Sequence, residues 1–299
     1  MTLDQLRIFV AVAERQHVTR AAEALGLAQS AVSGAVAALE ADVGVKLFHR
    51  VGRGIALTDA GRLCLEESRA VLARAEAARL RLAELGELKG GRLRLHASQT
   101  IASYWLPRHM VDFHRRHPAV QLSLRVGNTA EVAAGVREGE ADLGFVEGEI
   151  DDPLLRAEPV GLDRLVLVVA PDHPWCREPP AGAAGLRESR WVLREPGSGT
   201  RSAFASALQA AGTGIEALAI VLELPTNEAV RAAVEASPDC ATVISASVAA
   251  PSLEAGLLHQ VPFALPERAF RSVQHRERYQ SNAVRGFLAM IAERRPRGR

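Results

Sequence analysis

Three short amphipathic helical patterns follow one another in the first sixty residues, and they constrain the fold more than any other feature of the chain. The first covers residues 3–12, the second 19–26 and the third 29–42. Residues 44–57 then have the pattern of a small wing with a hairpin. Three short helices and a wing predict a winged helix-turn-helix, a unit too small to be an enzyme. Its third helix has the size that fits the major groove of DNA.

Composition leaves room for further domains but does not identify a partner. The chain has 299 residues, enough for two or three domains, and 48% of them are apolar, as in ordinary globular proteins. A formal net charge of +1 does not by itself indicate nucleic-acid binding, so the placement of cationic residues near the wing matters more than their sum. We expect a cytoplasmic protein without a membrane partner, because no signal-peptide pattern and no run of about 18 apolar residues is present.

A single long helix is predicted from residue 58 to about residue 88, where good helix formers follow a possible capping residue. Five apolar residues lie on one face of it at heptad spacing: Leu65, Leu72, Ala75, Leu82 and Leu85. Such a seam favours pairing with a second copy of the chain. The alternative is a helix that lies on the core of its own protein.

The pattern changes at Lys89-Gly90-Gly91, and strands then alternate with helices to the end of the chain. Strands are predicted at 92–96, 120–126, 141–146, 165–170, 191–193, 219–222, 241–245 and 270–275, and helices at 101–117, 129–138, 200–211, 227–235 and 283–293. This alternation indicates βαβ units and a mostly parallel sheet, which is the α/β fold class.

The chain resembles the LysR-type transcriptional regulators in an ordered set of motifs: Leu3-Asp4-Gln5-Leu6-Arg7-Ile8-Phe9, Ala21-Ala22-Glu23-Ala24-Leu25, Gln29-Ser30-Ala31-Val32-Ser33, Leu39-Glu40, Gly44-Val45-Lys46-Leu47-Phe48 and Leu57-Thr58-Asp59-Ala60-Gly61. The later long helix and α/β region fit the same family, so the resemblance covers essentially the whole chain.

This resemblance implies a definite domain organisation. We expect a winged helix-turn-helix DNA-binding domain at 1–58, a linker and dimerisation helix at 59–89, and an effector-binding domain at 90–299. The effector domain is expected to resemble a two-lobed periplasmic binding protein. Lobe I comprises 90–161 and 266–299, lobe II comprises 162–265, and the crossovers fall near 161–163 and 264–266.

The resemblance also assigns the residues that contact DNA: Arg20, Gln29, Ser30, Ser33, Arg50 and Arg53. The glutamine and the two serines lie on the exposed face of the recognition helix, where such side chains reach base edges or phosphates. The arginines are placed near the backbone or a narrow minor groove. The alternative for each arginine is a solvated surface residue.

Two residues depart from the family pattern. Ala28 stands before the recognition helix, where Ser or Thr is common, and its side chain cannot cap the helix. Gly34 stands where a longer polar or basic residue is frequent, and a glycine inside a helix lowers its stability. Base reading is therefore expected to depend on Gln29, Ser30 and Ser33.

Four loops rich in hydroxyl and amide side chains lie between a predicted strand and the next helix, and a fifth, at 245–247, ends another strand. The candidate effector-binding residues in them are Ser98, Gln99, Thr100, Asn128, Thr129, Ser198, Gly199, Thr200, Arg201, Thr226, Asn227 and Ser245. Loops at the carboxyl ends of parallel strands meet at one edge of the sheet, and the N–H groups of helix starts attract anions. We therefore expect a cleft for a small carboxylate, sulfate or phosphate compound, with no cofactor and no bound metal. For any single loop, the alternative is that these residues are ordinary caps and turns.

Arg201 has two possible roles, either to neutralise such a ligand or to pair with Glu195 at the surface. Within the family, the loop at 195–201 is most like that of regulators that respond to sulfur-metabolism or carbon-fixation signals.

The expected function is ligand-controlled transcription regulation. The family implies a homodimer on double-stranded DNA, association of two dimers, and contact with RNA polymerase. One alternative is an enzyme that uses the α/β region. Against it, the sequence has no Ser/His/Asp arrangement, no HExxH motif, no P-loop lysine and no cluster of carboxylates. His114 and His117 lack a third metal ligand nearby. A further alternative is an architectural DNA-binding protein whose sensor binds no ligand.

Overall fold

The structure, a computed structural model, describes residues 1–51, 54–83 and 91–294. The contacts within the chain divide it into two units: Met1–Gly86 with Glu138–Glu140, and the remaining residues. The first unit contains α1 (Leu3–Arg15), α2 (Val18–Leu25), α3 (Gln29–Val43), β1 (Phe48–Val51), β2 (Gly54–Leu57) and α4 (Asp59–Ala83). These elements are the predicted winged helix-turn-helix followed by the long helix.

Packing of the first unit follows its apolar spacing. Thr2 begins α1 with a reciprocal capping box with Gln5, which satisfies two amides at the helix start. Leu6 and Phe9 on α1 then pack with Leu39 of α3 and with Leu47 just before β1. The wing pairs β1 and β2 as an antiparallel hairpin.

The first half of the predicted heptad seam does not lie free for a partner. Leu65 and Leu72 of α4 pack against the same cluster as Phe9 and Leu39, so this half of the helix covers the core of its own domain. The side chains of Leu82 and Leu85 lie outside the described residues. Pairing of two copies through this helix stays a prediction that concerns its second half.

The second unit contains the strands β3 (Gly91–Ser98), β4 (Val120–Gly127), β5 (Leu143–Val146), β6 (Leu155–Val169), β7 (Arg190–Arg194), β8 (Ala219–Leu224), β9 (Cys240–Ser245), β10 (His259–Val261) and β11 (Glu267–His275). Its α-helices are α5 (Leu106–Arg116), α6 (Thr129–Glu138), α7 (Gly182–Gly185), α8 (Gly199–Ala210), α9 (Asn227–Glu235), α10 (Ala246–Glu254) and α11 (Asn282–Glu293). The strand order is β4-β3-β5-β11-β6-β9-β7-β8, with β10 beside β6.

The prediction of a mostly parallel sheet is wrong for the centre of the unit. Strands β4, β3 and β5 are parallel, as are β8, β7 and β9, but β11 and β6 pair antiparallel with each other and with their outer neighbours. Strand β6 is one continuous strand whose first part pairs with β11 and whose last part pairs with β9. The physical reason is that these two strands carry the chain across between the parallel groups, and apolar spacing does not reveal strand direction.

Separate hydrophobic cores form on the two sides of these crossing strands. One core joins residues such as Leu93 and Phe145 to Phe287 of the last helix. The other side is built from residues such as Trp191, Phe204 and Val243. Each group of parallel strands is covered by helices on both faces, so the open ends of the strands are left as the place for a ligand.

One predicted helix is divided in the structure. Residues 101–117 were expected to form a single helix, but Ile101–Trp105 is a π-helical turn and α5 begins only at Leu106. Pro107, which has no N–H and prevents a regular hydrogen-bond ladder, stands at the start of α5 and accounts for the break. Helix α10 and the short strand β10 were not predicted, since neither has a clear apolar period.

Within the described ranges, no single helix is long and apolar enough to cross a bilayer. Helices α2 and α3 reach the required length and composition only when taken together, and they are bent by 110°. The three cysteines of the chain are free thiols.

Candidate nucleic-acid interface and ligand cleft

Helix α3 presents the three predicted base-reading side chains to the surface. Gln29, Ser30 and Ser33 are exposed, whereas Val32 between them is completely buried and fixes the rotation of the helix. The helix therefore offers one polar face that has no other packing role in this unit.

A shallow pocket of about 370 Å³ joins the start of this helix to the wing. Gln29 and Arg50 line it together with His17 and Thr19 at the start of α2. His17 precedes α2 without a capping hydrogen bond from its side chain, so the first amides of α2 are available to an anion. Sequence reasoning missed His17 and Thr19, although their position at a helix start was a usable signal.

The remaining two residues predicted to contact DNA are Arg20 and Arg53. Arg20 is exposed on α2 but is not among the residues that line this pocket. Arg53 lies outside the described residues.

Glu40 fixes the recognition helix relative to the wing. Its carboxylate is buried and accepts hydrogen bonds from the amides of Leu47 at 2.9 Å and Phe48 at 3.3 Å, while Lys46 forms an ion pair with it. Burial alone raises the pKa of this carboxyl, but the hydrogen bonds from Lys46 and the two amides outweigh burial and lower it. Glu40 therefore stays ionised and holds the β1 strand against α3.

Replacing Ala28 by serine is expected to raise the free energy of unfolding by about 1 kcal/mol. Ala28 has the extended backbone of an N-cap residue (φ −67°, ψ 141°) and makes no capping hydrogen bond, so a serine oxygen there can accept from an amide of the first turn. Thermal denaturation of the full chain measures the effect. The matched control is Ala38→Ser, exposed inside the same helix, which is expected to lower stability slightly. An equal effect of both variants would contradict the capping argument.

In the second unit, residues from three predicted loops form one hydrogen-bonded cluster. The side-chain oxygen of Gln99 accepts from the amide of Asn227 at 2.6 Å and from Nη1 of Arg194 at 3.0 Å. Asn227 is fully buried, accepts from the same guanidinium at 2.7 Å and donates to Oγ1 of Thr100 at 3.0 Å. These contacts join the end of β3 to the start of α9, as the topology predicted.

A second cluster contains a buried ion pair between the two crossing strands. Arg268 on β11 and Asp163 on β6 are each only 7% exposed, and Nε of the arginine lies 2.7 Å from Oδ2 of the aspartate. Arg268 also donates to Oγ1 of Thr200 at 3.0 Å, and the hydroxyl of Ser245 donates to Asp163 at 2.7 Å. The helix starts of α8 and α10 are thereby attached to the crossover.

Two predicted hydroxyls have no hydrogen-bond partner among the described residues. Oγ of Ser98 and Oγ1 of Thr129 are buried, although both residues lie at strand ends or helix starts of the expected cleft. A buried hydroxyl without a partner is costly, so such groups usually have an ordered water or ligand as partner. Ser198 and Gly199 are also buried, and Gly199 lies next to Thr129.

The remaining predicted residues have local roles. Thr226 caps α9 by accepting from the amide of Ala229, and Asn128 donates weakly to Glu195 at 3.4 Å. Arg201 does not pair with Glu195, because its guanidinium donates to the carbonyl of Arg194 and pairs with Glu223 on β8. Its contact with an effector stays a prediction.

Sequence reasoning missed the charged residues of the cleft. Arg194 is 5% exposed and pairs with Glu195 through Nε at 2.8 Å, while Glu147 is buried close to Gly199. Together with the Asp163–Arg268 pair, these residues give the cleft two arginines and three carboxylates. The position of Arg194 at a strand end beside Glu195 was the one signal of this in the sequence.

Gly199→Ala is expected to lower the free energy of unfolding by about 1–3 kcal/mol through overpacking. A Cβ at this position would lie 2.7 Å from Oγ1 of Thr129, closer than real Cβ contacts allow, and 3.1 Å from the backbone nitrogen of Gly148, which is also tight. Gly286→Ala in α11 is the matched control, because a Cβ there meets only a Phe113 ring carbon at 3.6 Å. Denaturant unfolding of both variants is the measurement, and equal stability of the two would refute the clash.

The described residues contain no group of three or more His, Cys, Asp or Glu arranged to hold a metal ion.

A winged helix-turn-helix followed by a two-sided α/β domain with polar strand ends defines a class of protein, the ligand-responsive DNA-binding regulators. The family model for the "Bacterial regulatory helix-turn-helix protein, lysR family" matches residues 3–62, and that for the "LysR substrate binding domain" matches residues 86–296. The chain therefore belongs to the LysR family of DNA-binding transcriptional regulators, and these are not enzymes.

Similar proteins match this chain over almost its full length. The "Uncharacterized HTH-type transcriptional regulator YeiE" of Escherichia coli (strain K12) is 34% identical over 290 residues, covering 96% of each chain. A "Probable RuBisCO transcriptional regulator" of Cyanophora paradoxa is 31% identical over 295 residues, covering 97% of this chain and 91% of the relative.

Solved structures show the same fold. A full-length OxyR variant from Pseudomonas aeruginosa has a TM-score of 0.71 at 22% identity, covering 97% of this chain and 94% of its own. The regulatory domain of CcmR from Synechocystis PCC6803, in complex with 2-PG, has a TM-score of 0.62 at 24% identity, covering 69% of this chain and 99% of that domain. The predicted fold class is confirmed. The enzyme alternative is wrong because the two family models place the chain among transcriptional regulators.

Proposed function

We propose that a small anion binds in the cleft at the strand ends of the second unit and controls how this regulator acts on DNA. The observation that carries the proposal is the pair of buried hydroxyls of Ser98 and Thr129, which have no hydrogen-bond partner among the described residues. Thr129 lies where the starts of α6 and α8 meet, and Ser98 ends β3 opposite Gly127, just before α6. Helix starts favour negative charge.

The charges in the cleft indicate how such an anion would be held. Arg194 is paired with Glu195, and Arg268 with Asp163, so neither guanidinium offers a free charge. The anion is therefore expected to accept from hydroxyls and helix amides, or to replace Glu195 on Arg194. Arg194 is better placed than Arg201 for that exchange, since its guanidinium already joins Gln99 and Asn227.

The likeness to the CcmR domain solved with 2-PG supports a small molecule as the ligand class. The RuBisCO regulators among the relatives favour carbon-fixation compounds within that class.

A thermal-shift screen of the full chain against sulfate, phosphate, sugar phosphates and small carboxylates tests the proposal. A ligand at about 100 times its dissociation constant adds about 2.7 kcal/mol to stability. Ser98→Ala and Thr100→Val are expected to abolish the shift, whereas Thr242→Val, a buried threonine on β9 away from the strand end, leaves it unchanged. No selective shift in any class, or equal loss in the control, would overturn the anion cleft.

We further propose that Gln29 and Ser33 read bases while Arg50 and Arg20 contact phosphates. Each good contact to a base edge contributes about 1–3 kcal/mol of discrimination. Gln29→Ala with Ser33→Ala is therefore expected to weaken binding to the specific duplex about tenfold or more, with little change on a scrambled duplex. Arg50→Ala should weaken both duplexes equally and reduce the salt dependence. Equal losses on the two duplexes for the double variant would contradict base reading.

The proposed partners beyond DNA are a second copy of the chain and RNA polymerase. The second half of the α4 region, with Leu82 and Leu85, is the proposed dimer seam, and the α/β units are proposed to associate two dimers. Light scattering at micromolar concentration tests the dimer: Leu82→Glu should produce monomer, and a dimer that persists would exclude this seam.

A further inference from the structure

Glu147 is a buried carboxylate at the edge of the sheet where the anion cleft is proposed. It directly follows β5, which ends at Val146 beside the end of β3, so it stands at the carboxyl ends of parallel strands. The residue is only 6% exposed. Because a carboxylate repels an anion, Glu147 does not contribute to the binding of a simple anion in this cleft.

The carboxylate lies where the starts of α6 and α8 meet. Oε2 of Glu147 is 3.1 Å from the position that a Cβ on Gly199 would take, and Oγ1 of Thr129 is 2.7 Å from the same point. The next residue, Gly148, packs in the same place, since a Cβ on it would lie 3.3 Å from Cγ2 of Thr129 and 3.6 Å from Cα of Gly199. The carboxylate and the hydroxyl therefore face the same residue at the start of α8.

Glu147 has no counter-charge in the part of the chain that the structure describes. Among those residues no cation pairs with its carboxylate, and no N–H or O–H group donates to it. The two arginines of the cleft are already paired, Arg194 with Glu195 and Arg268 with Asp163. These residues thus give the cleft one carboxylate more than it has cations. A buried charge without a partner is costly, and such groups usually have one.

The start of α8 is the place where a negative group of a ligand finds donors. Ser198 makes no capping hydrogen bond there, and the first turn of α8 has no acidic residue. The start of α6 is already capped, because Asn128 and Glu131 exchange hydrogen bonds between side chain and amide at 2.8 and 3.0 Å. An anion is therefore favoured at α8. If it carries acceptors only, it brings a second negative charge next to Glu147.

We propose that Glu147 selects effectors that carry a hydrogen-bond donor, a hydroxyl or an ammonium group, beside their carboxylate or phosphate. The inference rests on the anion cleft proposed above. The anionic group of the ligand lies at the start of α8, and its donor group donates to the carboxylate of Glu147. Such a ligand provides this carboxylate with a partner and offsets the repulsion that an anion with acceptors alone experiences. Glu147 is thus a specificity-determining residue, and hydroxy acids, amino acids and the corresponding phosphates are the favoured ligand class.

Isothermal titration of the full chain with two matched series of ligands tests this selection. Propionate, lactate and alanine differ only in the group on the carbon beside the carboxylate, which is hydrogen, hydroxyl or ammonium. Ethyl phosphate, 2-hydroxyethyl phosphate and 2-aminoethyl phosphate form the corresponding phosphate series. In at least one series the ligands with a donor are expected to bind about tenfold more tightly than the parent, because a charged acceptor strengthens the hydrogen bond. A larger gain from ammonium than from hydroxyl identifies an ion pair as its source, and equal gains identify the hydrogen bond.

Glu147→Gln keeps the shape of the side chain and removes its charge. The variant is expected to bind the parent ligands about threefold more tightly, because the repulsion is gone, and to reduce the gain from the donor to about twofold. Glu149→Gln is the matched control in the same loop, where the side chain is 94% exposed, and should change neither quantity. Since the charge that is removed has no partner, the melting temperature of Glu147→Gln without ligand should equal or exceed that of the wild type.

The possible results separate a failure of this selection from a failure of the cleft. If the ligands with and without a donor bind equally well, or if Glu147→Gln leaves their ratio unchanged, Glu147 does not select the ligand, although the anion cleft stands. If Glu147→Gln lowers the melting temperature and leaves the ratio unchanged, Glu147 serves only as a negative charge at a helix start. If no ligand of either series binds to the wild type, the anion cleft is overturned and the selection with it.

Discussion

Replacing Asp163 by asparagine is expected to lower the free energy of unfolding by about 3–5 kcal/mol, the usual cost of leaving one charge of a buried pair without its partner. Arg268 is 7% exposed and would retain its positive charge between the crossing strands. Asparagine has a single side-chain oxygen, so it can no longer accept from both Arg268 and the hydroxyl of Ser245, which use the two oxygens of Asp163 at 2.7 Å each. Urea denaturation of the full chain, compared between the wild type and Asp163→Asn, measures the loss.

A control on the same strand separates burial from the mere presence of an ion pair. Arg156 and Glu158 also form an ion pair on β6, but their side chains are 53% and 50% exposed, so Glu158→Gln should change stability little. The double variant Asp163→Leu with Arg268→Met removes both charges and should lose less stability than Asp163→Asn alone. If Asp163→Asn lowers the free energy of unfolding no more than Glu158→Gln does, the Asp163–Arg268 pair is not desolvated.

Acid is expected to destabilise the protein through His109 by up to about 3 kcal/mol between pH 6.5 and 4. Burial and the neighbouring Arg108 and Arg294 lower its folded-state pKa to about 4, with Asp112 opposing them, whereas the unfolded chain has the ordinary value of 6.5. In this interval the unfolded state binds more protons. The stability is therefore fully present above pH 6.5, is lost as the pH falls, and decreases no further through this group below pH 4.

Urea denaturation at pH 7, 5.5 and 4.5 measures how the free energy of unfolding depends on pH. Carboxylates also titrate in acid, so the contribution of His109 is read as the difference between the wild type and a variant. His109→Phe should flatten the curve between pH 6.5 and 4.5. His114→Gln, an exposed histidine on the same helix, should leave it unchanged. If His109→Phe follows the wild-type curve, His109 is not the group responsible.

The sequence alone was sufficient for the features that depend on local periodicity. Apolar spacing located the helices of the first unit, with α3 beginning at Gln29 as predicted, because a buried stripe repeats every three to four residues. Strand ends such as Ser98 and helix starts such as Asn227 were also found locally, since turn and cap residues follow from backbone chemistry. That these strand ends and helix starts lie together at one edge of the sheet followed from the predicted topology.

Tertiary structure alone decided which partners these residues have. Asp163 and Arg268 are 105 positions apart, Gln99 and Arg194 are 95 apart, and no periodic signal connects them. The antiparallel direction of β6 and β11, the packing of Leu65 onto its own domain and the pairing of Arg201 with Glu223 were likewise decided at this level. The reason is that local spacing fixes which face of an element is buried, whereas burial of charge and strand direction depend on what distant segment covers that face.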